Sequence, residues 1–155
     1  MENTSIKRTD SDDLDFLALV RELDAYLAVT DGNEHSFYAQ YNKVDLIKNV
    51  VVLYAGALPV ACGAIKKFDD RTMEIKRMYT AQAHRGQGLA GQILRELERW
   101  TTELGFEKCI LETGKRQTDA IKLYEKSGYI RTENYGQYIG VANSVCFEKI
   151  LIPGS

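Results

Sequence analysis

With 155 residues, 45% of them hydrophobic and 27% charged, and with only two prolines, the chain reads as one folded domain over 1–155 rather than a disordered or multidomain protein. Twenty basic against 22 acidic residues leave a formal net charge of -2, which excludes the strong positive field of a nucleic-acid binder. The longest uncharged run, Val50 to Ile65, is interrupted by Gly56, Pro59 and Gly63 and falls short of the roughly 20 apolar residues that a spanning helix needs, so no membrane contact is expected.

The start, MENTSIKRTDSDDLD, is polar and acidic and does not read as a signal peptide. Cys62, Cys109 and Cys146 are odd in number, far apart and set in apolar strand-like runs, which predicts reduced, buried thiols in a cytoplasmic protein. Ile6 to Thr9 suits a short first strand. Ser11 or Asp12 can then cap a helix in which Leu14, Phe16, Leu17, Val20, Leu23 and Leu27 return at helical spacing, ending near Asp31-Gly32. Glu34 to Tyr41, with His35, Phe37, Tyr38 and Tyr41, suits a second helical segment that continues in shorter turns to Ile47.

From Asn49 the pattern turns to strands: Val50 to Tyr54, Leu58 to Phe68 and Thr72 to Thr80, joined by turns short enough to imply antiparallel neighbours. A helix follows from Gly88 to about Leu104. Its buried face is Leu89, Ile93, Leu94, Leu97 and Trp100, with Arg95, Glu96, Glu98 and Arg99 largely solvated, and Gly105 stops it. Lys108 to Thr113 is the next strand, Gln117 to Ser127 a helix ended by Gly128, and Tyr129 to Thr132 and Ser144 to Ile150 are closing strands. The expected fold is α/β: a mixed, largely antiparallel central sheet flanked by helices, with one β-α-β crossover in the middle.

The chemistry concentrates at the crossover. MYTAQAHRGQGLAGQILREL runs from strand into helix through a turn holding Gly86, Gly88 and Gly91, and a helix start exposes unpaired backbone N–H groups. Glycines admit phosphate oxygens close to the backbone, the helix dipole favours negative charge, and Arg85 adds a cation. On its own this turn has three readings. GQGLAG matches a dinucleotide fingerprint, with Glu112 near the place of a ribose-binding acid, but antiparallel strands precede it and only 43 residues follow Glu112. No Gly-Lys-Ser/Thr follows, so a P-loop fails, and a plain tight turn remains open.

Arg85-Gly86-Gln87-Gly88-Leu89-Ala90 resembles the Q/R-x-x-G-x-G/A signature of the GNAT superfamily, the general N-acetyltransferases. Downstream, LETGKRQTDAIKLYEKSGY is similar to that family's next strand and helix, often N-x-x-A-x-x-x-Y-x-x-x-G-F/Y, with Gln117, Ala120, Tyr124, Gly128 and Tyr129 in register and glutamine where asparagine is common. The likeness runs from about Val50 to Glu148; the first 45 residues match only as a generic helical region. It implies a GNAT-like acyl-CoA acyltransferase fold, acetyl-CoA as cosubstrate without a metal, and a homodimer as an option, since many relatives are dimers.

By that resemblance the pyrophosphate sits on the turn from Arg85 through Gly86, Gln87, Gly88, Leu89, Ala90 and Gly91. The pantetheine arm pairs beside Met78, Tyr79 and Thr80, and the Gln117 amide reaches the cofactor. Direct transfer needs a neutral amine, an oxyanion donor and a proton for the departing thiolate, and Tyr124 is the candidate donor. Glu74 and Glu112 are candidate proton acceptors, and each equally suits a salt-bridged strand carboxylate. His84 and His35 are not expected to act as bases, nor the three thiols as nucleophiles, having no histidine close in sequence. The acceptor is expected to be a primary amine of a small or amino-acid-like molecule, framed by the first helices and the Tyr135 to Tyr138 loop, with Asp24, Asp31, Glu34, Tyr38 and Tyr41 available to a cation. A protein lysine or N-terminus as acceptor, and a non-catalytic acyl-CoA-binding module, are the alternatives.

Overall fold

The computed structural model describes residues 3–31 and 46–151. The expected helical segment from Glu34 to Tyr41, with His35, Tyr38 and Tyr41, lies outside the described residues. Seven strands form one sheet: β1 (Thr4–Thr9), β2 (Asn49–Ala55), β3 (Leu58–Asp69), β4 (Thr72–Thr80), β5 (Lys108–Gly114), β6 (Ile130–Thr132) and β7 (Ser144–Ile150). Their order is β1-β2-β3-β4-β5-β7-β6, and every pairing is antiparallel except β4 with β5. Helix α1 (Leu14–Asp31) precedes β2, α2 (Leu89–Glu103) forms the β4-to-β5 crossover, and α3 (Thr118–Lys126) follows β5. The mixed, mostly antiparallel α/β architecture therefore agrees with the sequence reading.

Side-chain parity divides the sheet into two faces. Val50, Val52, Cys62 and Ala64 pack under Phe16, Leu19 and Val20 of α1. Val51, Leu53, Ala61, Ile65, Met73, Ile75, Leu111 and Phe147 pack on the other face with Leu89, Ile93, Leu94 and Leu97 of α2 and Tyr124 of α3. Gly63 allows α2 to approach closely: a Cβ there would fall 2.6 Å from Met78 Sδ and 2.7 Å from Ile93 Cγ2.

Several local expectations change. The cap of α1 is Asp13, whose Oδ1 accepts the Phe16 N–H at 3.0 Å, rather than Ser11 or Asp12. Ser11 is buried and engaged elsewhere, its hydroxyl accepting the Ile47 N–H at 2.9 Å. Leu14 is exposed, and Leu19 takes a core place beside Phe16 and Val20 instead. Glu96 and Glu98 are not solvated. Arg8 donates to Glu96 at 2.7 Å and to Glu103 at 2.8 Å while stacking on Trp100, and Glu98 accepts from Tyr129 and Lys149, each at 2.9 Å. These contacts tie the edge strand and the turn after α3 to α2.

Candidate active site

Strands β4 and β5 pair only over Thr72–Lys108, Met73–Cys109 and Glu74–Ile110; beyond these they part. The fork is opened from the β4 side by a bulge, where Arg77 and Met78 both stand opposite Gly63 and Arg77 takes a left-handed φ of 60°. The bulge reverses parity: Glu74 and Lys76 share the α1 face, and after it Tyr79 takes that face while Met78 turns to α2. A cleft of about 650 Å³ fills the fork, walled by β4, β5, the start of α3 and residues Leu23, Tyr26 and Leu27 of α1.

At one end of the cleft lies the start of α2. Gly86 and Gly88 adopt left-handed φ of 79° and 78°, a conformation that glycine takes without strain, and no side chain caps the helix at Gly88. The first N–H groups of α2 thus point out of the helix without intrahelical acceptors. A Cβ on Gly86 or Gly88 would meet nothing within 4 Å among the described residues.

Of the residues assigned from sequence, Glu74, Met78, Tyr79, Thr80, Arg85, Gly86, Gly88, Leu89, Ala90, Gly91, Glu112, Gln117 and Tyr124 all line this cleft; Gln87 does not. Gln117 stands at the N-cap of α3, and its Nε2 is buried without a hydrogen-bond partner among the described residues. A buried donor left unpaired is costly, which suits a group that a ligand completes. Arg85 is more constrained than expected: its Nε donates to the Thr80 carbonyl at 3.0 Å, and its guanidinium lies 4.9 Å from the Tyr26 ring and 5.7 Å from the Tyr79 ring. It joins α1 to the glycine turn.

The inner end is a polar cluster under the 133–143 loop. Tyr135 donates to Glu74 Oε2 at 2.7 Å, and Ser144 donates to Glu112 Oε2 at 2.6 Å. Asn134 Nδ2 donates to the carbonyls of Tyr138 and Val141, so the loop is braced from within. Phe68, Tyr135 and Tyr138 follow one another edge to face, with centroids 5.3 and 5.7 Å apart. Burial pushes the Tyr138 phenol up, with the Glu112 charge adding to it, and burial likewise raises the Cys146 thiol to about 11. Tyr124 is 5% exposed and lies against Tyr129 and Phe147; burial, then the charge of Glu112, hold its phenol well above the ordinary range.

Sequence reasoning left out Lys76, Arg77, Tyr26 and Arg116, which also line the cleft. Lys76 was readable from strand alternation, two residues after Glu74. Tyr26 and Arg77 carry no local mark, because one depends on α1 docking and the other on the bulge. His84 lines the cleft on the short helical turn Gln82–His84. The three cysteines are buried and free. Among the described residues no His, Cys, Asp or Glu group is arranged to hold a metal ion, and no helix is long and apolar enough to cross a membrane.

A family model described as Acetyltransferase (GNAT) family matches residues 14–129. The Bacillus subtilis protein named uncharacterized N-acetyltransferase YsnE is 38% identical over 92 residues, which cover 58% of this chain and 61% of that protein. Human N-acetyltransferase 8 is 33% identical over 87 residues, covering 53% of this chain and 35% of its own length. The chain thus spans less than two thirds of the curated relatives it matches. A crystal structure from Klebsiella pneumoniae, named as an acyl-CoA N-acyltransferase, superposes with a TM-score of 0.80 at 28% identity, covering 96% of this chain and 98% of that one. A GNAT family acetyltransferase from Elizabethkingia anophelis, solved with acetyl-CoA bound, shares the fold at a TM-score of 0.68 and 18% identity, covering 97% of this chain and all of that one.

Proposed function

Because this chain belongs to the GNAT family of acetyltransferases, we propose that it is an acetyl-CoA-dependent N-acetyltransferase acting on a primary amine of a small or amino-acid-like molecule. The observation that carries this reading is the fork: two strands part beside a glycine-opened helix start, and a buried amide donor at Gln117 faces the same cleft without a partner among the described residues. Acetyl-CoA would supply there an acetyl group activated as a thioester and a thiol to leave.

In this reading the backbone N–H groups from Gly86 to Gly91 hold the phosphates, helped by the α2 dipole, while the Arg85 N–H is given to the Gln82 carbonyl at 3.4 Å. Met78, Tyr79 and Thr80 offer main-chain groups along the open edge of β4, and Gln117 offers its Nε2 donor. The bulge sets Arg77 and Met78 of β4 opposite Gly63 at the mouth of the fork, where the main chain of β4 would meet the thioester carbonyl. Tyr124 keeps its proton through the physiological pH range, because burial and the Glu112 charge both disfavour the phenolate, and it donates that proton to the leaving sulfur.

Both carboxylates are hydrogen-bonded and both line the cleft. Glu74 accepts from Tyr135 and anchors the braced loop over the acceptor end, Glu112 accepts from Ser144 and lies close enough to Tyr124 to raise its phenol, and either can take a proton from the incoming ammonium. The carboxylates of Glu74 and Glu112, which line this cleft beside Tyr138, suit a cationic amine. Calorimetric titration with acetyl-CoA, followed by CoA release across small amines, amino acids, lysine peptides and N-terminal peptides, tests the proposal. Tight binding without CoA release from any of them would sink the enzyme reading, and turnover of peptides alone would move the acceptor to proteins.

A further inference from the structure

The inner end of the cleft holds an amine that the proposed reaction does not use. Lys76 stands opposite Ala64 in the β3–β4 ladder, hence on the α1 face, two residues past the last β4–β5 pair. Glu112 holds the matching place on β5, two residues past Ile110, so the two residues follow the point where the strands part. The Lys76 side chain is 11% exposed and lines the cleft, with Nζ 3.9 Å from Glu74 Oε1.

An ordinary surface lysine is a poor nucleophile because its lone pair carries a proton. Here burial draws the ammonium pKa down; Lys66 and Arg77 act in the same direction, and Glu74 and Glu112 oppose it. Among the described residues, the raised phenol of Tyr138 also lines this cleft, and Arg77 itself donates to the Asp24 carboxylate of α1 at 3.4 Å. A primary amine, two carboxylates and the buried phenol of Tyr124 therefore meet in one cleft. These are the groups that amide formation from a thioester requires.

We propose that Lys76 is an internal acetyl acceptor, so that without an external amine the chain acetylates its own Lys76 Nζ. The inference rests on the acetyl-CoA reading above. The Nζ lone pair forms the C–N bond to the acetyl carbonyl as the C–S bond breaks. Sulfur leaves with the bonding pair and takes the Tyr124 proton, Nζ gives its proton to Glu74, and solvent exchange restores both groups. The product carries no charge at position 76 and fills space at the acceptor end, so self-acetylation closes the site to external amines.

The full chain is incubated with acetyl-CoA alone and followed by intact mass and peptide mapping. One acetyl group should appear on Lys76, with a first-order rate independent of protein concentration. It should be absent in Lys76→Arg, slowed at least tenfold in Tyr124→Phe and suppressed by saturating amine. Acetyl groups only on exposed lysines, or an unmodified Lys76 in protein that binds acetyl-CoA and turns over an amine, would overturn the inference and leave the enzyme reading intact. Failure to bind acetyl-CoA would overturn both. In cofactor-free protein, competitive labelling with acetic anhydride across pH should give Lys76 a midpoint below the ordinary lysine value; a midpoint at or above it, or no labelling, also overturns the inference.

Discussion

Two glycines of the same turn predict opposite changes in stability and the same change in binding. Gly88 caps α2 with a left-handed φ of 78°, and a Cβ there meets nothing within 4 Å, so Gly88→Ala introduces no clash and only backbone strain. That strain costs about 1–2 kcal/mol, which for a chain of this size lowers Tm by roughly 2–8 °C. Gly91 sits inside the first turn of α2 with no left-handed φ, and its added Cβ would meet only the end of the flexible Arg95 side chain at 3.3 Å. Gly91→Ala should therefore stabilise the free protein by up to about 1 kcal/mol, or roughly 2–4 °C. Both positions line the cleft, and on the proposed reading both variants put a methyl group where phosphate oxygens would come close. Loss of one charge-assisted hydrogen bond, about 1.5–3 kcal/mol, weakens acetyl-CoA binding roughly 10- to 100-fold. Thermal unfolding without ligand and calorimetry with acetyl-CoA read the two quantities separately. A stabilised Gly91→Ala that keeps full affinity would show that the phosphates do not lie on this turn, and an unchanged Tm for Gly88→Ala would refute the strain argument.

Tyr124→Phe should lower turnover by about 10²- to 10⁴-fold while acetyl-CoA affinity stays nearly constant, because the ring packing on Tyr129 and Phe147 survives and only the proton is lost. Unaltered turnover with the best amine would remove Tyr124 from the mechanism. Burial raises the thiols of Cys109 and Cys146 to about 11 and that of Cys62 to about 12. In the unfolded chain they titrate near the ordinary thiol value of about 8.5, so above that pH the unfolded state sheds protons that the folded state keeps. Stability should then be fully present below about 8.5 and decline as pH climbs toward about 11. Urea melts across this range, with a Cys109→Ala control of shallower slope, check the sign; a rise in stability would contradict it. Ellman's reagent at pH 8 should find no reactive thiol among the three until the protein unfolds.

The strands, the crossover helix and the glycine turn were legible because each is written in local periodicity and turn chemistry. Ser144 to Ile150 and Thr72 to Thr80 match their strands to the residue. What escaped was set by distant partners. The insertion of β7 between β5 and β6 has no local signal, and neither does the link between Glu74 and Tyr135, 61 positions apart. The capping of α1 by Asp13 rather than Ser11 turned on Ile47 claiming the serine.

The bulge at Arg77 is the most consequential of these omissions, because it decides which residues share the acceptor space. Uninterrupted alternation from Glu74 and Lys76 would add Met78 to the α1 face and send Tyr79 to α2. The extra residue exchanges them, so Met78 packs toward Ile93 and Leu97, and Tyr79 joins α1, where its hydroxyl donates to Glu22 at 3.1 Å and its ring lies 5.7 Å from the Arg85 guanidinium. Arg85 in turn lies 4.9 Å from Tyr26 of α1. One inserted residue therefore opens the fork, leaves Lys76 and Glu74 at its inner end, and ties α1 to the glycine turn at its outer end. On the proposed reading, phosphate binding at that turn and amine binding beneath α1 would therefore be linked through the contacts of Tyr79 and Arg85 with α1, although the residues that do the two jobs lie in separate parts of the sequence.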